Sequence, residues 1–347
     1  MNKESQTMPK SQKTRNLSFH EYVKDVESSM RPSLGFSAKH KKSFPLWRQD
    51  VRKKVTELFG DMPTRKVAPR VKVIEQRSVG SYIRRKIVFD VESNFSIPAY
   101  LLIPKGLKKN RSAPAILALH GHGRGKRDIC RIDTDPRVLQ QFIRPLRYDY
   151  AHRFANDGYV VLAPDARGFG EISDLTCTEM YTTMTLLGKT VVGIRVWDAM
   201  RAVDVLVSQP EVDPKRLGCT GLSWGGTHTM YTTLTDKRIK TACVSGYFSD
   251  IKDVLIDYPQ CPCQYLPGLR KFVDFPDIMG AIAPRPLLIQ NGDIDALYCV
   301  EIVQEEFKKV AEIYKAARAS DKVALDLFYG AHEYNYETAV EWFRRWL

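Results

Sequence analysis

Hydrophobic residues recur along this chain with two different spacings. Between residues 17 and 60 the interval is helical: Trp47, Val51, Val55 and Leu58 fall on one face, Ser43 is placed to cap, Pro45 suits a first turn and Gly60 stops the run. Beyond residue 70 the pattern shortens. SYIRRKIVFDVE and IPAYLLIP read as β-rich extended stretches that open a sheet in antiparallel fashion. They are followed by compact apolar runs, APAILALH, GYVVLAP, RLGCTG, IKTACVS, RPLLIQN and VALDLFY, of the kind that form strands buried on both faces. These alternate with helical segments such as IRVWDAMRAVDVLVSQ and VEWFRRWL. Such alternation predicts an α/β fold: a mostly parallel central sheet with antiparallel N-terminal strands, helices on both faces and a helical N-terminal extension.

The expected organisation is a polar, disordered tail over 1–16, a helical extension over 17–69 and one α/β domain over 70–347. Within that domain, the irregular stretch 247–283 lies between two strands and is long enough to cover a pocket. With 347 residues and 44% hydrophobic content, the chain can bury a large core. The opening MNKESQTMPKSQKTRN lacks the apolar run of a signal peptide, and no stretch reaches the roughly 18 apolar residues of a membrane span. A cytoplasmic protein with no membrane partner is therefore expected. Seven cysteines, an odd number without an export signal, point to reduced thiols rather than a disulfide framework.

The net charge of +13 is unevenly spread: residues 1–153 hold 33 basic and 14 acidic side chains, and the remainder 20 and 26. Such basicity can attract an anionic partner. No run interleaves aromatic with basic residues as a single-strand platform would, and no zinc-finger spacing occurs, so no nucleic-acid partner is expected and solvated surface is the preferred reading. Arg124, Arg127 and Arg131 follow a glycine-rich loop and are candidates for a substrate-pocket mouth; solvation explains them nearly as well.

Candidate chemistry centres on GCTGLSWGGTHTM, residues 218–230. A strand runs directly into G-L-S-W-G-G and a helix begins near Trp224, so Ser223 sits on a strand-to-helix turn where Gly221 and Gly225 let the backbone pass closely. An N-capping serine on a β–α turn would look the same. What distinguishes a nucleophile is its company, because a serine hydroxyl needs a histidine base and the histidine an orienting acid. After Ser223 only His228 and His332 remain. His228 lies five residues along the same helix, rising away from the hydroxyl, whereas His332, in LFYGAHEYNY, follows the final strand. The acid is sought in QNGDIDALY, where Asp293 and Asp295 are both candidates. Backbone donors for an oxyanion are expected at Trp224 and, in LALHGHGRGKRD, at His122.

Competing readings are weaker. A P-loop needs G-x-x-x-x-G-K-[ST], but His120 stands five before Gly125 and Arg127 follows Lys126. His120 and His122 lack a second group of metal ligands, and Cys261 and Cys263, in QCPCQYLPG, are two thiols short of a zinc site, so packing is the expected role and no metal is assigned. Asp165 and Arg167, in APDARGFGE, read as a polar pair that fixes a turn.

Taken in order, LHGHG at 119–123, APDARGFGE at 163–171, GIRVWDAMRAVD at 193–204, GLSWGG at 221–226, IAPRPLLIQNGDID at 282–295 and GAHEY at 330–334 resemble the α/β-hydrolase superfamily. Within it the chain is similar to the dienelactone-hydrolase and acetyl-xylan-esterase-like branch, over roughly residues 70–347, and the Trp47–Gly60 helix is similar to the extension many members carry. The resemblance implies an α/β-hydrolase fold and hydrolysis of a small-molecule carboxylic ester without a metal or organic cofactor. It also favours Asp295 through a G-x-x-D pattern, which agrees with that residue lying further out of the strand than Asp293. The implied triad is Ser223, Asp295 and His332, with His122 and Trp224 at the oxyanion. Dienelactone hydrolases proper use a cysteine nucleophile, so lactone hydrolysis does not carry over to Ser223; a short acyl or sugar-acetate ester is the expectation. A serine peptidase on the same fold, or a catalytically silent fold that binds an anionic partner, are the alternatives.

Overall fold

The structure, a computed structural model, describes residues 15–107, 112–132 and 135–347. The expected tail over 1–16 lies outside them except for Arg15 and Asn16. The chain divides into two compact units at Arg31 and Pro32. In the first, Ser18 caps the helix Phe19–Ser29 by accepting a hydrogen bond from the Glu21 amide at 3.2 Å.

The second unit is built on a nine-stranded sheet: β1 (Lys72–Val79), β2 (Tyr82–Glu92), β3 (Phe95–Pro104), β4 (Ala113–Leu119), β5 (Val160–Pro164), β6 (Val212–Leu222), β7 (Thr241–Ser245), β8 (Leu287–Gly292) and β9 (Val323–Phe328). Their spatial order is β1-β2-β3-β5-β4-β6-β7-β8-β9. The first three strands pair antiparallel and β3 meets β5 antiparallel, while every pairing from β5 through β4 to β9 is parallel. β1 was not among the expected strands. It is an edge strand, exposed along most of its length, so its sequence has no buried face to announce it.

Period-two alternation distributes the core over both faces. Ala115, Leu117 and Leu119 of β4 pack with the helix Val191–Val207, and Ala242, Val244, Leu287 and Ile289 pack with helices Phe44–Leu58, Trp224–Thr235 and Val300–Ala316. Their neighbours Ile116, Ala118, Cys243 and Leu288 face the other way, onto helices Tyr150–Asn156 and Tyr336–Trp346. Between β7 and β8 the chain runs through short helical turns at 252–257, 262–264 and 269–271 and a helix at Phe275–Gly280.

One feature of this order positions chemistry. From β4 the chain crosses to β5 on one side and then returns to β6 on the other, so the β4 and β6 exits lie side by side where the winding reverses. Open α/β sheets bind ligands in that crevice, beyond the carboxyl ends of the strands.

Candidate active site

β6 ends at Leu222 and the helix begins at Trp224, which leaves Ser223 as a one-residue junction with φ 62° and ψ −126°. A non-glycine residue with positive φ is strained by about 1–3 kcal/mol and persists only where its surroundings fix it. Here they do. The Ser223 amide donates to the Ser245 carbonyl at 2.9 Å, and the Ser223 carbonyl accepts from the Gly226 and Thr227 amides at 2.7 and 3.1 Å. A Cβ on Gly221 or Gly225 would run into the Leu119 carbonyl, so both glycines are required by the close passage of β4.

The candidate acid and base leave adjacent strands. β8 and β9 pair in parallel as far as Gly292 and Phe328. Beyond that point the two loops are stitched together: the Asp293 amide donates to the Phe328 carbonyl at 3.0 Å, the Ile294 amide to the Gly330 carbonyl at 3.1 Å, and Asp293 Oδ1 accepts from the Gly330 amide at 3.1 Å. Asp293 is thereby occupied in the turn. Asp295, its side chain fully buried, accepts from His332 Nδ1 at 2.7 Å through Oδ2 and from the Leu297 amide at 2.9 Å through Oδ1. Tyr298 stacks on the His332 ring at 6.0 Å and 22°.

The other ring nitrogen, Nε2, is buried and has no hydrogen-bond partner among the described residues. The ring itself is placed by Gly246. A Cβ there would lie 3.0 Å from His332 Cε1, so the imidazole rests directly on this glycine. Gly246 is one residue beyond the Leu222–Ser245 pair, as Ser223 is on the neighbouring strand. The structure therefore brings Ser223, His332 and Asp295 to one strand-end cluster. The Ser223 hydroxyl and Nε2 are not joined by a hydrogen bond; contacts of this kind often tighten only around a reacting group.

His228 is in a different situation. It is buried against Trp224, and its Nε2–H donates to the Arg195 carbonyl at 2.7 Å. Burial pushes its pKa down to about 3. The sign of the consequence is definite: below about pH 6.5 the unfolded chain binds a proton that the folded chain refuses, so this contribution to stability is full above that pH and is lost as pH falls toward 3. Between about pH 7.5 and pH 5 the loss amounts to about 2 kcal/mol. Urea unfolding at those two pH values is expected to show wild type losing that much more stability than His228→Gln; equal losses would contradict it.

His120 is likewise a core residue. Its Nε2 accepts from the Ala166 amide at 3.0 Å, which leaves Nδ1–H to donate to the Gly121 carbonyl at 2.8 Å. Next to it, the Gly121 amide is taken up by the Tyr148 hydroxyl at 2.5 Å. The His122 amide carries no hydrogen bond among the described residues, nor does that of Trp224, the first residue of its helix. Tyr148 was not foreseen from sequence, because only the fold brings it to this loop.

The Arg124 guanidinium is held by Asp128, with Nε 2.9 Å and Nη2 2.5 Å from Oδ1, and its side chain stays partly exposed. Arg127 is exposed. Arg131 pairs with Asp149 at 3.6 Å and lines a cleft with Arg144, Arg147 and Arg153. Asp165 is a buried turn anchor: it accepts from the Lys126 amide and Nζ at 2.8 and 2.5 Å and from the Glu171 amide at 3.0 Å. Arg167 pairs with Asp198 and Glu92 at 2.7 and 2.6 Å.

The largest revision concerns the cysteines. All seven are free thiols. Cys261 and Cys263 do not stand alone: Cys177, from the helix Cys177–Leu186, and His122 join them, with the four potential ligand atoms all within 4.8 Å of one another. Contacts with Cys261 and Cys263 hold the Cys177 thiol well below the usual thiol range. Burial disfavours a charged His122 imidazole, but its hydrogen bonds to Cys177 and Cys261 outweigh that and raise it to about 9. Nothing in the sequence around Cys177 links it to a C-x-C more than 80 residues away. Only the tertiary fold makes the connection.

The Abhydrolase family model matches residues 3–239. The chain belongs to the Abhydrolase family. It is 31% identical over 302 residues to "Putative hydrolase YtaP" of Bacillus subtilis (strain 168), covering 84% of this chain and 95% of that one. Among solved structures, a "putative acetyl xylan esterase" from Bacteroides fragilis NCTC 9343 superimposes with a TM-score of 0.82 at 19% identity, over 97% of this chain and 96% of that one. A glucuronoyl esterase from Solibacter usitatus does so with a TM-score of 0.67 at 14% identity, over 92% and 99%. The protein is a hydrolase of the α/β-hydrolase fold. No helix among the described residues is long and apolar enough to cross a membrane.

Proposed function

We propose that the protein is a serine esterase that cleaves short acyl or sugar-acetate esters through an acyl-enzyme. The observation that carries this reading is the His332 imidazole. It is bound at Nδ1 by buried Asp295 and its ring rests on Gly246, at the strand end next to that of Ser223, while Nε2 is buried with no hydrogen-bond partner among the described residues. In the first step Ser223 Oγ attacks the ester carbonyl and His332 Nε2 takes its proton. The negative charge that forms on the carbonyl oxygen is met by the amides of His122 and Trp224, and preorganised donors of this kind are worth about 10²–10³ in rate each. His332 then returns the proton to the leaving alcohol, and water, activated by the same nitrogen, releases the acid. Asp295 holds the Nδ1–H tautomer and stabilises the imidazolium.

The names of the structural neighbours point to acetyl-xylan and glucuronoyl esters. They support a carbohydrate ester as the substrate class, with the crevice between the β4 and β6 exits as its binding place. The decisive test uses a serine-reactive fluorophosphonate probe on full-length protein. Labelling of wild type and none of Ser223→Ala is the expected outcome. Labelling of both, or of neither, overturns the reading. A panel of acetyl, longer acyl, sugar-acetate and peptide substrates then identifies the acyl group, with turnover expected on the acetyl esters.

A further inference from the structure

The side chains of His122, Cys177, Cys261 and Cys263 have no role in ester cleavage as derived above, yet three separate segments of the chain converge to bring them together. We propose that these four residues bind one zinc ion in a closed Cys3His site, fastening the insert between β7 and β8 and the helix Cys177–Leu186 to the loop that follows β4.

Geometry is the first support. Tetrahedral zinc with Zn–S near 2.3 Å and Zn–N near 2.0 Å sets its ligand atoms roughly 3.5–3.8 Å apart. His122 Nε2 and Cys263 Sγ are already 3.5 Å apart, and no pair of the four exceeds 4.8 Å. Small side-chain rotations close the remainder. Ligand chemistry is the second: three thiolates and an imidazole suit zinc and not the hard, oxygen-seeking cations.

Charge supplies an independent third. Arg195 is fully buried, flanked by the rings of Phe169 and Trp224 at 5.0 and 4.4 Å. Its guanidinium donates to the Arg167 carbonyl, and Nη2 stands 3.6 Å from Cys177 Sγ, but Nη1 has no partner and no carboxylate pairs with it among the described residues. Asp198 acts on this buried cation only through space, its carboxylate being held by Arg167, so added negative charge beside the guanidinium would stabilise it. Zinc with three thiolates carries a net charge of −1 and provides that charge beside a ligand sulfur, in the position of an outer-shell donor. A disulfide between two of the thiols would be neutral and would add no negative charge beside Arg195.

Four protein ligands leave zinc no open position, so its role is structural. Bound through its imidazole, His122 would have its backbone fixed as well. On the esterase reading, that is the residue whose amide meets the oxyanion, so metal loss would lower kcat more than it raises KM.

The test is metal content, which does not depend on the esterase reading. Untagged full-length protein, purified in reductant without chelator, is expected to carry about one zinc per chain by plasma mass spectrometry. After removal of zinc, added Co2+ is expected to give thiolate-to-cobalt charge transfer and tetrahedral d–d bands. The variant Cys261→Ser/Cys263→Ser should retain less than about a tenth of the metal. Cys299→Ser, an exposed cysteine outside the group, should retain all of it, as should Ser223→Ala, in which only probe labelling is lost. Reduced wild type that takes up neither zinc nor cobalt overturns the proposal whether or not the double variant folds. So does a double variant that keeps its metal, or native protein in which intact mass shows a disulfide among these cysteines in place of bound metal.

Discussion

Asp295→Asn is expected to lower kcat by about 10⁴ while KM and thermal stability change little. Asp295 Oδ2 accepts the Nδ1–H of His332 at 2.7 Å, and the side chain is wholly buried, so no water can replace it. An amide of the same shape can keep the Leu297 contact through its oxygen. What it then presents to Nδ1 is an N–H donor, which selects the tautomer with the proton on Nε2, where the base must be empty. Asp293→Asn provides the contrast. Its Oδ1 accepts from the Gly330 amide, a bond that an amide oxygen preserves, so activity should stay within about tenfold and any effect should appear in the melting temperature. Steady-state kinetics on an acetyl ester, together with thermal melts, checks both variants. A dead Asp293 variant beside an active Asp295 variant would reverse the assignment.

His332→Ala is expected to lose a factor of about 10³ or more in kcat on short acyl esters, and His228→Gln to stay within about tenfold. His332 is the imidazole that rests on Gly246, at the strand end next to that of Ser223, with Nε2 unpartnered among the described residues; His228 is committed to the Arg195 carbonyl and packed under Trp224. Glutamine at 228 can still donate to that carbonyl, so the packing behind Trp224 is disturbed little. Equal losses in the two variants, with both folded by circular dichroism, would mean that the strand-end geometry does not select the base.

Much of this protein is legible in its sequence because the signals are local. The β6–helix junction at Ser223 is written in consecutive residues: a strand, two glycines that allow the passage of Leu119, and a helix starting at Trp224. Strands β4, β5, β7 and β8 are recognisable as short apolar runs because they are buried on both faces, and His332 stands after β9, a half-buried edge strand. The choice of Asp295 over Asp293 also has a local part, the distance each lies beyond the end of β8.

What tertiary structure alone decided depends on contacts between distant segments. β1, exposed at the sheet edge, has no hydrophobic pattern to reveal it. Tyr148 occupies the Gly121 amide and leaves that of His122 available, a division of donors invisible in LHGHG itself. Arg124 follows the glycine loop but is captured by Asp128 four residues later, because the short helix that starts at Lys126 turns the carboxylate back toward it. Cys177 joins the Cys261–Cys263 pair, and Arg195 is buried beside it, because the helices Cys177–Leu186 and Val191–Val207 meet the β7–β8 insert on the same side of Trp224. Sequence spacing encodes which face of an element is buried; which ligands and charges meet depends on how those faces pack, and a thiol cannot signal a partner more than 80 residues away.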